Sequence, residues 1–478
     1  MSARVPDTAL KALRRLFQAW CGQEAGHLQW LPAAGSNRRY ARISSTSGSH
    51  LAIGTWNPNP RENKAFLYLS EHFHGKGIPV PAVYGADEAA QVYLQQDLGP
   101  KALYELLPAP GEDFDEALKT QYQHVLRELA ALHVQGARDI DLEQLLTPRI
   151  FNAQGMLWDL QYFKYYYLKL FDIPFDEAAL ERDFERLCTW LGQEPATYLN
   201  LRDCQSRNIL LPAGKPYFID YQGARLGPAA YDVVSLLWQA RARIPYPLRE
   251  ELREYYLTAL LNEDPEADLD RIRKTWSGFV LLRCLQVLAV YGLRGRVEGK
   301  SHFLASIPPA LDNLRYLLDH ERPELPLPEL WACLEAVLDT GSPLHTLRVH
   351  LQSFSYKKGL PQDASGHGGG HMFDCRAIDN PGRYETYKAL SGLDAPVRQF
   401  LDEQADMQRF LRQTEQIVLL SVHNYLERRF EHLQVSYGCT GGQHRSVYAA
   451  ERLAERLRQI PGVQVELEHR EASAWRLC

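Results

Sequence analysis

The sequence predicts an α+β two-lobed domain followed by a separate α/β domain, and three observations carry that expectation. From about Trp30 to Leu98, short β-prone runs surround a single helical stretch. After Ala102, apolar residues recur at spacings of three and four, the mark of helices packed on a core. Thr340-Gly341-Ser342-Pro343 then interrupts the helical period, and from there to the C-terminus the chain alternates strand and helix. The expected division is a first domain at 1–338, with a small lobe at about 1–98 and a helical lobe at about 102–338, then a linker at 339–346 and a second domain at 347–478.

In chain order, Ala9–Trp20 reads as a surface helix of the first domain, with an amphipathic membrane-surface or transit helix as the weaker alternative. Tyr40–Ile43, Leu51–Thr55 and Gln91–Asp97 are expected strands, and Arg61–His74 is the helix among them. Phe114–His133 and Gly155–Phe171 have helical periodicity. Asn208–Leu211 and Tyr217–Asp220 flank Pro212-Ala213-Gly214-Lys215, a turn cluster that joins two strands into a hairpin. In the second domain, strands are expected at Leu347–Tyr356, Met372–Arg376, Leu433–Tyr437 and Val463–His469, with helices around Asp394–Arg412, around Glu415–Phe430 and from Ser446.

Composition narrows the function classes. Among 478 residues, 53 Lys+Arg against 59 Asp+Glu give a net charge of −6. Broad nucleic-acid binding by phosphate neutralisation is therefore not expected, and any anion site must be local. Eight cysteines lie scattered without a CxxC pair, the usage of reduced thiols in the cytoplasm. No apolar run reaches the ~18 residues of a membrane span, so no membrane partner is expected.

The segment Leu201-Arg202-Asp203-Cys204-Gln205-Ser206-Arg207-Asn208 sets an aspartate five residues before an asparagine, and the hairpin beyond it ends in Ile219-Asp220-Tyr221-Gln222. One turn system thus gathers two carboxylates and an amide. Phosphoryl transfer needs such a set: one carboxylate to orient an attacking hydroxyl and accept its proton, and an amide oxygen with a second carboxylate to hold magnesium across nucleotide phosphates. Asp203 suits the first role, Asn208 and Asp220 the second. An Asx turn with capping duties explains each residue singly but not the three together. Arg283 and Gln286 are polar on the otherwise apolar Gly278–Tyr291 stretch; they face a substrate cleft or close a buried ion pair.

This pattern resembles the catalytic and metal-binding segments of protein kinases and, more closely, of aminoglycoside phosphotransferase-like (APH-like) small-molecule kinases. Arg225-Leu226-Gly227-Pro228-Ala229-Ala230-Tyr231-Asp232-Val233-Val234-Ser235-Leu236-Leu237 is similar to the segment after the metal aspartate in bacterial N-acetylmuramate/N-acetylglucosamine anomeric kinases, where Asp232 would be a structural brace. Gly35-Ser36-Asn37-Arg38-Arg39-Tyr40 resembles that family's loop between the first two strands, where small residues lie over phosphates. The resemblance implies a protein-kinase-like fold, ATP and Mg2+ as cofactors, nucleotide contacts from Ser36, Asn37 and Arg38, and an amino-sugar substrate phosphorylated at its anomeric hydroxyl. Two positions depart from the pattern. Leu201 stands where a histidine usually precedes Arg-Asp, and the strand Leu51-Ala52-Ile53-Gly54-Thr55 lacks the usual phosphate-facing lysine, which leaves Glu62 without its usual partner; either Lys64 or Arg38 substitutes for it, or nucleotide binding is weak.

In the second domain, Leu433–Tyr437 runs into Gly438-Cys439-Thr440-Gly441-Gly442-Gln443-His444-Arg445-Ser446, and a helix comes next over Val447–Arg458. Strand, glycine-rich turn and helix start make a phosphate cradle, with Arg445 placed to fork onto two oxygens. Cys439 and Arg445 also have the spacing of the phosphocysteine loop in protein tyrosine phosphatases, which permits a low-pKa nucleophile, although no general-acid aspartate is evident. His444 donates to phosphate or caps the helix. His367, His371 and Cys375 stand four apart, but the glycines 368–370 argue against a metal-binding helix and for a loop.

A wider match joins Ser353–Pro361, Phe373-Asp374-Cys375-Arg376, Asn380-Pro381, Ser391–Asp394, Gly438–Val447 and His469-Arg470: these residues resemble the C-terminal domain of the RNase adapter protein RapZ. That resemblance implies a phosphosugar ligand contacted by Thr440, Gly442, His444, Arg445 and Arg376, with Cys439, Gly441, Gln443 and Ser446 in the same loop. RNA binding is not expected to transfer, since 347–478 holds 17 Lys+Arg against 16 Asp+Glu and ends without a basic tail. The joint expectation is a sugar kinase with a phosphosugar-sensing domain. The alternative is a non-catalytic kinase-like scaffold and metabolite sensor that regulates a partner, a third reading is Cys439-dependent phosphatase activity of the second domain, and none of these fixes an oligomeric state.

Overall fold

The computed structural model describes residues 5–32, 38–108, 114–339, 347–363, 366, 370–428, 430–460 and 462–475. The chain divides into two compact units, 1–294 with 306–341, and 295–305 with 342–478. The first unit opens with α1 (Asp7–Cys21), which Gly22 closes at φ 72°. Ala9, Ala12, Leu13 and Phe17 of this helix are buried in one cluster with Ile43, Ala52, Trp56 and Leu94. Each large side chain so buried contributes roughly 1.5–3 kcal/mol, which makes α1 a core element of the small lobe rather than a membrane-surface helix.

The sheet it covers is antiparallel, in the order β1 (Ala25–Trp30), β2 (Arg39–Ser45), β3 (Leu51–Trp56), β5 (Val92–Gln96), β4 (Val83–Asp87). Between β3 and β4 runs α2 (Pro60–Gly75), started by the Asn59 side chain, which accepts the N–H groups of Arg61 and Glu62, and by Pro60 at the first helical position. The sequence reading finds neither β1 nor β4. Both lie at sheet edges with partly exposed residues, and both carry a glycine at a bulge, so the alternation that marks a strand is blurred.

The helical lobe comprises α3 (Glu116–Gln135), α4 (Ala153–Phe163), α5 (Glu177–Leu191), α6 (Ala230–Leu237), α7 (Tyr246–Glu263), α8 (Leu269–Tyr291), then, past the short α9 (Ser301–Leu304) of the second unit, α10 (Ile307–His320) and α11 (Pro328–Asp339). The helix expected at Gly155–Phe171 is α4 followed by a π-helical turn at Lys164–Leu168. Among the described residues, Leu269–Val297 is long and apolar enough to cross a membrane, which corrects the expectation that no stretch is. Arg283 interrupts its apolar window, and 67% of that window is buried inside the fold. Two short pairs complete the lobe: β6 (Tyr198–Asn200) with β9 (Arg225–Gly227), and the hairpin of β7 (Ile209–Leu210) and β8 (Tyr217–Phe218).

The second unit is a parallel sheet ordered β11 (Gly370–Asp374), β12 (His432–Cys439), β10 (Leu347–Ser355), β13 (Val463–His469). With it stand α12 (Glu385–Lys388), α13 (Ala395–Asp402), α14 (Ala405–Glu427) and α15 (Arg445–Leu457). The two central strands are almost wholly buried, as expected where helices cover both faces. Two boundaries differ from expectation. The helix break falls at Glu403-Gln404 rather than near 413, because Thr414 is buried, its hydroxyl donating to Leu411 O and accepting from Tyr437 Oη at 2.9 Å. The strand expected to reach Arg376 stops at Asp374, whose carboxylate accepts the Arg376 N–H and starts a turn.

Candidate active site and anion loop

The short β7–β8 hairpin brings the predicted catalytic residues of the first unit together. Ile219 N–H donates to Asn208 O at 3.0 Å, which sets the next residue, Asp220, beside Asn208. The turn carrying Asp203 is held from α6: the fully buried Asp232 carboxylate accepts the backbone N–H of Leu201 and, at 3.0 Å, that of Arg202, with His133 Nε2 at 3.4 Å. This brace leaves the side chain at 201 free to be apolar. Arg202 adopts φ 69° and lies between the rings of Phe151 (3.6 Å) and Tyr231 (4.4 Å), paired with Asp159 at 3.0 Å.

Asp203 is half-exposed and accepts from Gln205 Nε2 and, at 3.3 Å, from Asn208 Nδ2, which also donates to the Asp203 carbonyl at 3.0 Å. Both donors of the Asn208 amide group thus face Asp203. Among the described residues neither Asn208 Oδ1 nor Asp220 Oδ2 accepts a hydrogen bond. An amide oxygen and a carboxylate oxygen, both unengaged, are the hard donors that Mg2+ takes, so the residues fit the ion.

Arg38 supplies the cation that β3 lacks. It is 4% exposed; its Nη1 donates to Asp220 Oδ1 and its Nη2 to Glu62 Oε2, each at 2.8 Å. Lys64 is exposed. Burial would raise the Glu62 pKa, but Arg38, with Asn57 and Asn59, outweighs it and holds the carboxyl below its ordinary range. Within β3, a Cβ on Gly54 would lie 2.8 Å from Ile43 Cδ1 and 2.9 Å from Leu13 Cδ2, so no long side chain fits there. Ser36 and Asn37 lie outside the described residues. Arg283 and Gln286 do reach this site: Arg283 Nη1 donates to Gln286 Oε1 at 2.8 Å, and Nη2 stands 4.0 Å from Asp203 Oδ1. The sequence reading missed Asp159 and Gln239; Gln239 Oε1 accepts both the Ser206 N–H (3.0 Å) and hydroxyl (2.8 Å). A lone glutamine 33 residues away carries no local signal.

In the second unit the glycine-rich loop joins β12 to α15. Cys439 Sγ accepts the Gly442 N–H at 3.2 Å and lies 3.1 Å from Ser446 Oγ. Burial pushes the thiol pKa up, but the Ser446 and Gly442 donors and the Arg445 charge prevail and leave it lowered. Gly442 has φ 68°, and a Cβ there would meet Glu471 Cγ at 2.5 Å. Thr440 and Gly441 are exposed at the tip, where Thr440 O accepts from Ser355 Oγ at 2.8 Å.

Two side chains differ from expectation. Arg445 does not hold an open fork toward a ligand: it is 3% exposed, its Nη1 donates to the carbonyls of Arg376 (3.2 Å) and Ile378 (2.6 Å), and Nη2 reaches Thr440 Oγ1 at 3.5 Å. The carbonyls of the turn after β11 have captured the guanidinium. His444 neither caps α15 nor stands open; burial lowers its pKa below the ordinary imidazole value, and its Nε2 bonds Tyr387 O at 2.9 Å. Gln443 Nε2 likewise donates to Leu390 O at 2.7 Å. Arg376 is exposed, paired with Asp374 at 2.7 Å over the Tyr356 ring. His371 Nε2 bonds Ser421 Oγ at 2.8 Å, Cys375 is fully buried, and His367 lies outside the described residues.

A small lobe built on an antiparallel sheet and bearing an Arg38–Glu62 pair, joined to a helical lobe that gathers Asp203, Asn208 and Asp220 at one hairpin, defines the protein-kinase-like class of fold. Residues 28–274 match the model of the phosphotransferase enzyme family, and the chain belongs to that family. Residues 347–473 match the RapZ C-terminal domain. A nucleotide-binding protein of Cereibacter sphaeroides is 36% identical over 174 residues, 36% of this chain and 55% of its own length, so the chain spans about half of such curated relatives. Similar solved structures include a choline/ethanolamine kinase family protein of Mesorhizobium loti (15% identity, TM-score 0.45, 69% of this chain and 99% of that one). An ethanolamine kinase of Plasmodium vivax is another (14% identity, TM-score 0.44, 61% and 82%).

Proposed function

We propose that the first domain, 1–338, transfers the terminal phosphoryl group of ATP to a hydroxyl of an amino sugar of the N-acetylmuramate/N-acetylglucosamine type, at the anomeric position. The observation that carries this reading is the Arg38 fork, which joins Glu62 of α2 to Asp220 beside Asn208 and Asp203. It places a fixed positive charge next to the oxygens suited to a cation, where nucleotide phosphates must lie for in-line transfer. Asp203 orients the acceptor hydroxyl and takes its proton. Asn208 Oδ1 and Asp220 Oδ2 would hold Mg2+, which would supply neutralisation of charge on the phosphates. The family resemblance gives the contacts to those phosphates to Ser36, Asn37 and Arg38.

The second domain, 347–478 beyond a linker at 339–346, binds a phosphosugar at its Cys439–Ser446 loop. Exposed Thr440, Gly441 and Arg376 offer the accessible donors, while Gln443, His444, Arg445 and Ser446 hold the loop in shape. The site of action is the cytoplasm, in keeping with described cysteines that are all free thiols. RNA and membrane are not partners in this reading.

The test is direct. The purified full chain, with ATP and Mg2+, is assayed against N-acetylmuramate, N-acetylglucosamine, glucosamine and aminoglycosides. Product with one of them, lost in Asp203→Ala, is expected; no turnover with any acceptor would replace the kinase by the scaffold-and-sensor reading.

A further inference from the structure

Building on the kinase reading, we propose that the acceptor site selects a sugar bearing a carboxylate, and that Arg283 is the residue that reads it. Arg283 is 6% exposed, yet among the described residues its one carboxylate partner is Asp203, at 4.0 Å. Its Nη1 is spent on neutral groups, Gln286 Oε1 at 2.8 Å and the Tyr231 hydroxyl at 3.5 Å. Burying a guanidinium against neutral partners costs several kcal/mol unless an anion answers it.

Positioning Asp203 does not explain that cost. Gln205 and Asn208 already hold the carboxylate, and Asp232 holds the backbone before it. The neighbouring charges deepen the imbalance. Asp159 is matched by Arg202 at 3.0 Å, while Arg225, partly buried, and Arg207, exposed, have no carboxylate within 4.0 Å among the described residues. Arg283 Nη2 makes no hydrogen bond and is not among the polar atoms sealed from solvent, so it opens beside Asp203, where the acceptor hydroxyl must sit. A planar fork of this kind is the preferred recogniser of a carboxylate.

The experiment separates this inference from the kinase reading by measuring binding and transfer apart. N-acetylmuramate and its carboxamide, alike in shape but differing in charge and in one acceptor exchanged for a donor, are titrated calorimetrically into the full chain, and phosphorylation of each is followed with ATP and Mg2+. At least tenfold tighter binding of the acid is expected, with the preference abolished in Arg283→Gln and largely kept in Arg283→Lys. Equal affinities, no binding of either sugar, or a preference that survives Arg283→Gln would overturn the inference. Selective binding of the acid without transfer would sink the kinase reading and leave the carboxylate site standing. Transfer to acid and amide at equal kcat/KM would do the reverse. Should Arg283→Gln fail to fold, the wild-type acid-to-amide ratio and its loss in Arg283→Met decide the matter.

Discussion

Replacing Arg38 by Met should disconnect α2 from Asp220. The guanidinium is 4% exposed, but the Glu62 and Asp220 side chains are 31% and 38% exposed. Breaking a fully buried pair from one side costs about 3–5 kcal/mol, and an exposed pair is worth about 0–1. With one buried partner and two that retain water, a loss of about 1.5–3 kcal/mol is expected. Thermal unfolding reads this as a fall in Tm of roughly 2–4 °C for a unit of this size. A double-mutant cycle with Glu62→Gln isolates the pair and should give a coupling of about 1–2 kcal/mol. The pH dependence has a definite sign. Because Arg38 lowers the Glu62 pKa in the folded state, the coupling is fully present above the ordinary carboxyl value of about 4.3 and fades as pH falls through the lower folded value. Losing one charge-assisted contact should also weaken MgATP binding roughly 10–100-fold. Additive single mutants together with unchanged ATP affinity would refute the assignment of Arg38 as the missing cation.

Asp203→Asn should lower kcat by about 10²–10⁴-fold with little change in Tm, checked by steady-state kinetics beside a melting curve. Asp232→Ala, which strips two backbone N–H groups and His133 of a buried acceptor, should cost about 3 kcal/mol or more in chemical denaturation, and a smaller loss would mean the turn before Asp203 is held by other means. Alkylation of Cys439 by a small electrophile should titrate below the usual ~8.5 and shift upward in Ser446→Ala, with Cys439→Ser as the blank. Gly442→Ala meets both a positive φ and Glu471, and should destabilise the fold by about 1–2 kcal/mol or more, seen as earlier melting.

How much of the molecule is legible in its sequence depends on whether the signal is local. The Asp203–Asn208 spacing and the hairpin to Asp220 are written within twenty residues, so the gathering of these side chains can be read from the chain alone. The strand–loop–helix at Cys439–Ser446 is legible for the same reason. The direction of Arg445 is not: its fate hangs on the carbonyls of Arg376 and Ile378, nearly seventy residues earlier. Arg38 can be named only as one of two candidates, since choosing between it and Lys64 requires knowing that Arg39 pairs with Trp56 and that Lys64 faces outward. The edge strands β1 and β4 escape because edges tolerate polar residues and glycine, and Asp159 and Gln239 escape because nothing near them in sequence announces their partners.

The backbone at Asp220 carries a consequence for natural variation. Its φ of 63° lies where most side chains crowd their own carbonyl. Asparagine would keep that geometry while forfeiting the formal charge, and glycine would keep the geometry while forfeiting the side-chain oxygens altogether. Valine or isoleucine would forfeit both. On the proposed metal role of Asp220, a homologue with glycine here would still fold its hairpin but would lack the carboxylate for the ion, so this position would tell a dormant copy from a working one more cleanly than the histidine replaced by Leu201.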